Sequence, residues 1–202
     1  MKNIGLIIIL VILSSTIIGG LFIPSSYAQS NQQHKNENTL TEDPSDNNST
    51  QTTPEIKVIV YQDNWFDFVN EYFEKYTTAQ VIDVDTLITY TVKRVGGYNH
   101  ADVEPISALD TSKMYSIYDN EWSWVRRAVW VKYGDRYIAA SINGYPHSYD
   151  LVEDNDMTGH TCIHFLMSRT HGTNRVDEAH QAAVEKAYNN QQRLNNFLNS
   201  KL

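Results

Sequence analysis

The sequence predicts an α+β domain, with a mixed, mostly antiparallel sheet, a helix near the start of the domain and a longer one at its end. Three observations carry this. Two apolar runs, residues 128–133 and 136–142, flank Gly134-Asp135 and read as a hairpin closed by a two-residue turn. Trp65, Phe68, Val69, Tyr72, Phe73 and Tyr76 recur at three- and four-residue steps, the period of one helix face. Val176, Ala179, His180, Ala183, Val184, Ala187 and Leu194 form a second such stripe, with Asn174 or Asp177 placed to start the helix.

Before the domain come two segments of different character. Residues 1–28 open with Met1-Lys2-Asn3, run apolar from Ile4 to Phe22 around Gly19-Gly20, and end Ser26-Tyr27-Ala28. Small residues at Ser26 and Ala28 suit a signal peptidase, so the expectation is a signal peptide cleaved after Ala28 and a secreted or cell-surface product. Left uncleaved, the same run would be a membrane anchor, the only membrane contact expected. Residues 29–55 hold a lone Leu40 and no aromatic side chain, too little apolar surface to offset the entropy of ordering, and read as a polar tether. Asn48-Ser49-Thr50 within it has the form of a glycosylation acceptor.

Residues 56–202 then form one domain. Its partner class is narrowed by a net charge of −8, which disfavours a nucleic-acid surface; Arg126-Arg127 is an isolated basic pair. Residues 56–61 are β-branched and alternate as a strand does, and Asp63-Asn64 can cap the aromatic helix. Residues 81–95 read as two strands around a turn near Asp85. Residues 96–105, beginning Gly96-Gly97, read as a loop carrying His100, Asp102 and Glu104. A short helix is expected from Asp110 to Tyr118, capped by Asp110 or Thr111. After the hairpin, Asn143-Gly144 signals a turn that delivers His147 to a loop just beyond a strand end. In the last helix His180 lies on the apolar face, where a satisfied core or interface role is expected, and the Asn/Gln run from Asn189 onward is expected to fray.

The chemistry gathers in one stretch, residues 146–172, which holds the only cysteine and four of the seven histidines. If residues 159–165 are extended, the two-residue period sends His160, Cys162 and His164 to one face and Thr161, Ile163 and Phe165 to the other. A thiolate is the nucleophilic form of cysteine, and neighbouring imidazoles supply the base or charge that generates it. With no second cysteine an intramolecular disulfide is excluded, leaving a buried inert thiol, a metal ligand, an intermolecular pair or a reactive group.

His147-Ser148 followed downstream by Gly159-His160-Thr161-Cys162-Ile163-His164 resembles the signature of YkuD-type L,D-transpeptidases, a His and then Ser/Thr-His-Gly-Cys, a hydrophobic residue and Asn or Arg. The resemblance implies Cys162 as the acyl-accepting nucleophile and His147 as its general base. It makes His160 the histidine two before the cysteine and Ser148 the residue beside the base, and it allows a YkuD-like core. Gly159, Thr161 and His164 depart from the family pattern. Asn99-His100-Ala101-Asp102-Val103-Glu104-Pro105, Trp122-Ser123-Trp124, Ala139-Ala140-Ser141, Gly159-His160, Cys162-Ile163-His164-Phe165, Val176-Asp177 and His180-Gln181 together resemble a poorly characterised domain of secreted bacterial proteins, often found beside cell-wall-binding modules. That likeness implies an extracytoplasmic setting and a site built from these motifs.

The expectation is therefore a secreted thiol enzyme that transfers or hydrolyses acyl groups on a cell-wall peptide or related polymer without a cofactor. Cys162, His147, His160 and His164 are its candidate catalytic residues, and Ser148, His100, Asp102, Thr161, Arg169 and His171 its candidate substrate contacts. Two readings stand beside it. One makes His160, Cys162 and His164 zinc ligands of a hydrolase, with Asp102, His100 or His147 completing the shell. The other is a non-catalytic wall-binding module whose exposed Tyr and Trp stack on sugars.

Overall fold

The computed structural model describes residues 55–202, so the leader and all of the tether except Glu55 lie outside the described residues. The elements run β1 (Val60–Tyr61), a π-wound turn (Trp65–Val69) continuing into α1 (Asn70–Tyr72), β2 (Thr78–Asp83), β3 (Thr89–Gly96), β4 (Ala101–Pro105), α2 (Ala108–Ser116), β5 (Arg127–Tyr133), β6 (Arg136–Ile142), β7 (Thr161–His164), α3 (Glu178–Asn189) and α4 (Gln191–Asn199). The class is α+β with a mostly antiparallel sheet, as expected.

The sheet closes on itself. Strand order is β1-β6-β5-β2-β3-β4-β7, and β7 pairs again with β6, so six strands form a barrel and β1 hangs outside it. One edge of β6 does both jobs. Tyr137 and Ile138 pair parallel with β1, and farther along Ser141 and Ile142 pair antiparallel with β7. Closure removes the open edges that a flat sheet would expose.

Alternation assigns the two faces. Val81, Val92, Val103, Val129, Val131, Ile138 and Ile163 point inward, and Met114 of α2 with Ile117 and Tyr118 just after it packs against them beside Trp65, Phe73 and Phe165. On the outer face Ile82, Val84, Ala128, Trp130 and Ala139 are covered by Ala183, Val184 and Ala187 of α3 and Leu194 of α4. Trp130 finds a partner for its indole N–H in the Ala187 carbonyl, 2.8 Å away. Cys162 alternates with inward-facing Thr161 and Ile163, so it emerges on the outer face.

Several expected boundaries shift, each for a physical reason. Residues 96–105 are not all loop: Ala101–Pro105 is a buried strand, because β3 and β7 flank it and satisfy its backbone. The aromatic helix stops at Tyr72 instead of Tyr76, and Asn64 alone caps it, its side chain accepting from the Phe66 N–H. Tyr76 takes φ +68, which no helix accommodates. Ser107, not Asp110 or Thr111, caps α2. Only Val60–Tyr61 of the first predicted strand pairs in the sheet. The last helix is two, α3 and α4, broken at Asn190.

The Asn/Gln run does not fray, and the reason lies in the extended segment beside it. Gln191, Asn195 and Asn199 accept hydrogen bonds from the backbone N–H groups of Val60, Val58 and Ile56, at 2.8, 2.8 and 2.7 Å. Four residues of helix rise about 6.0 Å and two of strand about 6.6 Å, so the two spacings nearly match. Among the described residues no helix is long and apolar enough to cross a membrane.

Candidate functional site

Register builds the site. Asp102 of β4 and Cys162 of β7 are direct partners in the antiparallel ladder, so both side chains leave the barrel on its outer face. His100, two residues before Asp102, reaches the same place. His147 returns from its loop through a two-bond bridge: its N–H donates to the His160 carbonyl at 2.9 Å, and the His160 N–H donates back at 3.0 Å. His171 comes from a loop held where the Arg169 N–H donates to the Asn99 carbonyl, 2.9 Å away.

Four imidazoles, one carboxylate and one thiol converge here. The Cys162 sulfur lies 3.4 Å from His147 Nε2 and 3.5 Å from His171 Nε2. His171 Nε2 lies 3.0 Å from His100 Nε2, and Asp102 Oδ1 stands 3.3, 3.4 and 3.8 Å from the Nε2 atoms of His100, His171 and His160. The opposite ring nitrogens face backbone carbonyls: His147 Nδ1 is 2.8 Å from Tyr145 O, His160 Nδ1 3.2 Å from Tyr149 O, and His100 Nδ1 2.5 Å from Arg169 O. A carbonyl only accepts, so these three rings carry their proton on Nδ1 and turn bare Nε2 lone pairs towards the sulfur and the carboxylate. Asp102 is also gripped from behind, since the Tyr149 hydroxyl donates to Oδ2 at 2.5 Å.

Burial sets the charges. It pushes the Cys162 thiol well up, Asp102 pushes it further, and only the Asn143 carboxamide works in the other direction. The resting sulfur is therefore a thiol. Burial also works against ionisation of Asp102, but the surrounding imidazoles of His100 and His160 and the hydrogen bond from Tyr149 prevail and hold its carboxyl below the usual range. Desolvation lowers His160 and His171, so both are neutral at pH 7. Asp102 Oδ1 and His160 Nε2 are buried, and among the described residues neither has a hydrogen-bond partner. These orphans are costly unless something else satisfies them.

The sulfur lines a cavity of about 250 Å³ shared with His100, Trp124, Asn143, His147 and His171. Trp124, which lines it, stacks on Tyr145 at 4.9 Å and 15°, and the two residues are 48% and 43% exposed. A wider depression of about 550 Å³ under residues 150–158 carries none of the imidazoles.

The candidate residues are dispersed unequally. Cys162, His147, His160, His100, Asp102 and His171 come together, although His100, Asp102 and His171 sit at the sulfur itself and not at a surrounding substrate wall. His164 lies one layer deeper: its ring stacks between His100 at 4.3 Å and His180 at 3.6 Å, and burial keeps it neutral. The zinc trio of His160, Cys162 and His164 does not gather, and the converging sets contain His171 or Asp102 in its place. Thr161 is fully buried and Ser148 is exposed at φ +63. The Arg169 guanidinium lies 4.9 Å over the Phe66 ring, so this residue serves the site through its carbonyl. His180 has its core role, 2.9 Å from the Ser141 hydroxyl.

Three contributors escape sequence reasoning. Asn143 reads as half of a turn signal, Tyr145 acts through a backbone carbonyl that any residue could supply, and Tyr149 reaches Asp102 across 47 positions. Only the Asn143-Gly144 pair left a trace in the sequence. No family model matches the chain, and comparison with curated proteins and with solved structures returns no match.

Proposed function

We propose that this chain is a secreted, cysteine-dependent acyl-transfer enzyme, L,D-transpeptidase-like or an amidase or peptidase, acting on a peptide of a cell-wall or related polymer. One observation carries the reading: His147 Nε2 sits 3.4 Å from the Cys162 sulfur at a cavity wall, while Nδ1 of the same ring is held 2.8 Å from the Tyr145 carbonyl. Nucleophile, base and orienting group stand in the order that thiol catalysis requires.

Because the sulfur rests as a thiol, activation is by general base. His147 Nε2 takes the Cys162 proton as sulfur attacks the substrate carbonyl carbon, and the oxyanion that forms is met by the Asn143 carboxamide. Collapse breaks the carbon–nitrogen bond, His147 returns its proton to the departing amine, and a thioester remains on Cys162. An incoming amine or water then attacks the thioester, His147 accepts its proton, and the thiol is released by taking that proton back. The exposed Trp124–Tyr145 stack offers the substrate an aromatic wall. A YkuD-like core, with Cys162 on a strand, His160 just ahead of it and His147 on the neighbouring loop, belongs to the same proposal.

The test is mass spectrometry of the full chain incubated with a wall-derived stem peptide, with and without an amine acceptor. An acyl adduct on Cys162 is expected, lost in Cys162→Ser and formed at least about a hundredfold more slowly in His147→Gln. A parent protein that forms neither adduct nor product across a panel of stem peptides overturns the reading.

A further inference from the structure

We infer that His100, Asp102, Cys162 and His171 form a binding site for one Zn²⁺ ion. This goes beyond the acyl-transfer reading and shares only the sulfur with it.

The spacing is that of ligands around a common centre. A tetrahedral zinc ion with bonds near 2.0–2.1 Å to nitrogen and oxygen and 2.3 Å to sulfur sets its ligand atoms roughly 3.3–3.7 Å apart. The four atoms lie 3.0 Å (His100 Nε2 to His171 Nε2), 3.3 Å (His100 Nε2 to Asp102 Oδ1), 3.4 Å (His171 Nε2 to Asp102 Oδ1) and 3.5 Å (His171 Nε2 to Cys162 Sγ) apart, and all pairs fall within 4.8 Å. His160, 3.8 Å from the same oxygen, stands outside this tetrahedron.

The second argument is an unmet need. Asp102 is 3% exposed and its Oδ1 has no hydrogen-bond partner among the described residues, although three imidazole nitrogens surround it. A bare His100 Nε2 points at the same spot because its Nδ1 proton is committed to the Arg169 carbonyl. A cation at the centre satisfies both lone pairs at once. The outer partners are the kind that metal sites use, a carbonyl behind His100 and the Tyr149 hydroxyl behind Asp102.

Charge and softness select the ion. Thiolate and carboxylate together neutralise a divalent cation, so the loaded site is neutral and suits its buried position. One thiolate and two imidazoles favour zinc over magnesium or calcium. Binding replaces the Cys162 proton, which leaves to solvent, and requires the His171 proton on Nδ1. A zinc-bound sulfur is not free to attack a carbonyl, so metal occupancy switches off thiol chemistry at Cys162.

The full chain, stripped with EDTA, is titrated with Co²⁺ and Zn²⁺. One equivalent should bind, with a sulfur-to-cobalt charge-transfer band and visible bands of a tetrahedral centre, and alkylation of Cys162 should slow on loading and recover on chelation. Cys162→Ser should remove the sulfur band. Asp102→Asn and His171→Gln should each weaken zinc by at least about tenfold; the His171 side chain is half exposed, so its replacement leaves the barrel intact. His147→Gln should bind zinc as the parent does while forming the acyl adduct at least about a hundredfold more slowly. Absence of stoichiometric metal, a cobalt spectrum without the sulfur band, or unchanged affinity in His171→Gln overturns the site. A chain that is acylated at Cys162 yet binds no zinc removes this inference alone, and the converse removes the acyl-transfer reading alone.

Discussion

Asp102 and Cys162 face each other across the β4–β7 ladder, and this one register sets an ionised carboxylate beside a buried thiol. Desolvation is the larger reason that the thiol resists ionisation, and the Asp102 charge adds to it. In metal-free protein, Asp102→Asn removes that repulsion, so the inflection in the rate of iodoacetamide alkylation against pH should move to lower pH than in the parent. An inflection that stays in place or rises would mean that the carboxylate does not act on the sulfur.

Gly159 holds a backbone conformation that a side chain would resist. Its φ is +94, and an added Cβ would lie 2.8 Å from the His147 carbonyl oxygen. Gly159→Ala should therefore cost about 1–3 kcal/mol in denaturant unfolding and disturb the bridge that returns His147 to the sulfur. The variant should also form the Cys162 adduct more slowly. Unchanged stability would show that this backbone relaxes freely.

Arg94 is fully buried, and among the described residues no carboxylate forms an ion pair with it. Its guanidinium donates to the carbonyls of Asn70, Phe73, Gly96 and Gly97 and to the Asn70 side chain, and lies 4.7 Å over the Trp65 ring. It ties the first helical turn to the bend that precedes β4. Arg94→Leu leaves those acceptors unsatisfied, and a loss of about 3–5 kcal/mol is expected from urea unfolding.

The amide ladder between α4 and the extended N-terminal segment should be visible residue by residue. Asn195→Ala frees the Val58 N–H, which should lose hydrogen-exchange protection, with a stability cost of about 0.5–1.5 kcal/mol. Equal protection in variant and parent would show that the contact does not hold the strand.

His180 carries an acid-sensitivity. Burial lowers its pKa to about 3, and His164, stacked on it at 3.6 Å, is lowered in the same direction. An unfolded histidine titrates near 6.5, so between that pH and about 3 the unfolded chain holds a proton that folded His180 does not. Stability is then greatest above pH 6.5 and falls as pH drops, by about 1.4 kcal/mol for each unit per such group. His180→Asn should flatten this dependence in chemical denaturation between pH 6.5 and 4; an identical slope would place the acid response elsewhere.

The hairpin around Gly134-Asp135, the helical stripe of α3 and the alternation of residues 160–165 were all legible, because each depends on contacts within one element. What resisted reading was set by partners distant in the chain. Residues 101–105 look like loop because their composition is polar, and they become strand because β3 and β7 supply hydrogen bonds on both sides. The run from Asn189 looks unable to stay helical until the backbone of residues 56–60 gives its amides something to bind.

The same division holds for the chemistry. By itself the sequence determined that one cysteine and a concentration of histidines would share a short stretch, and that His160 and Cys162 would leave their strand on one side, since the two-residue period follows from local backbone geometry. Only the tertiary structure decided which imidazoles meet the sulfur. It chose His147 and His171 over His164, and it brought His100 and Asp102 to them, because barrel closure and backbone carbonyls far along the chain fix where each ring points.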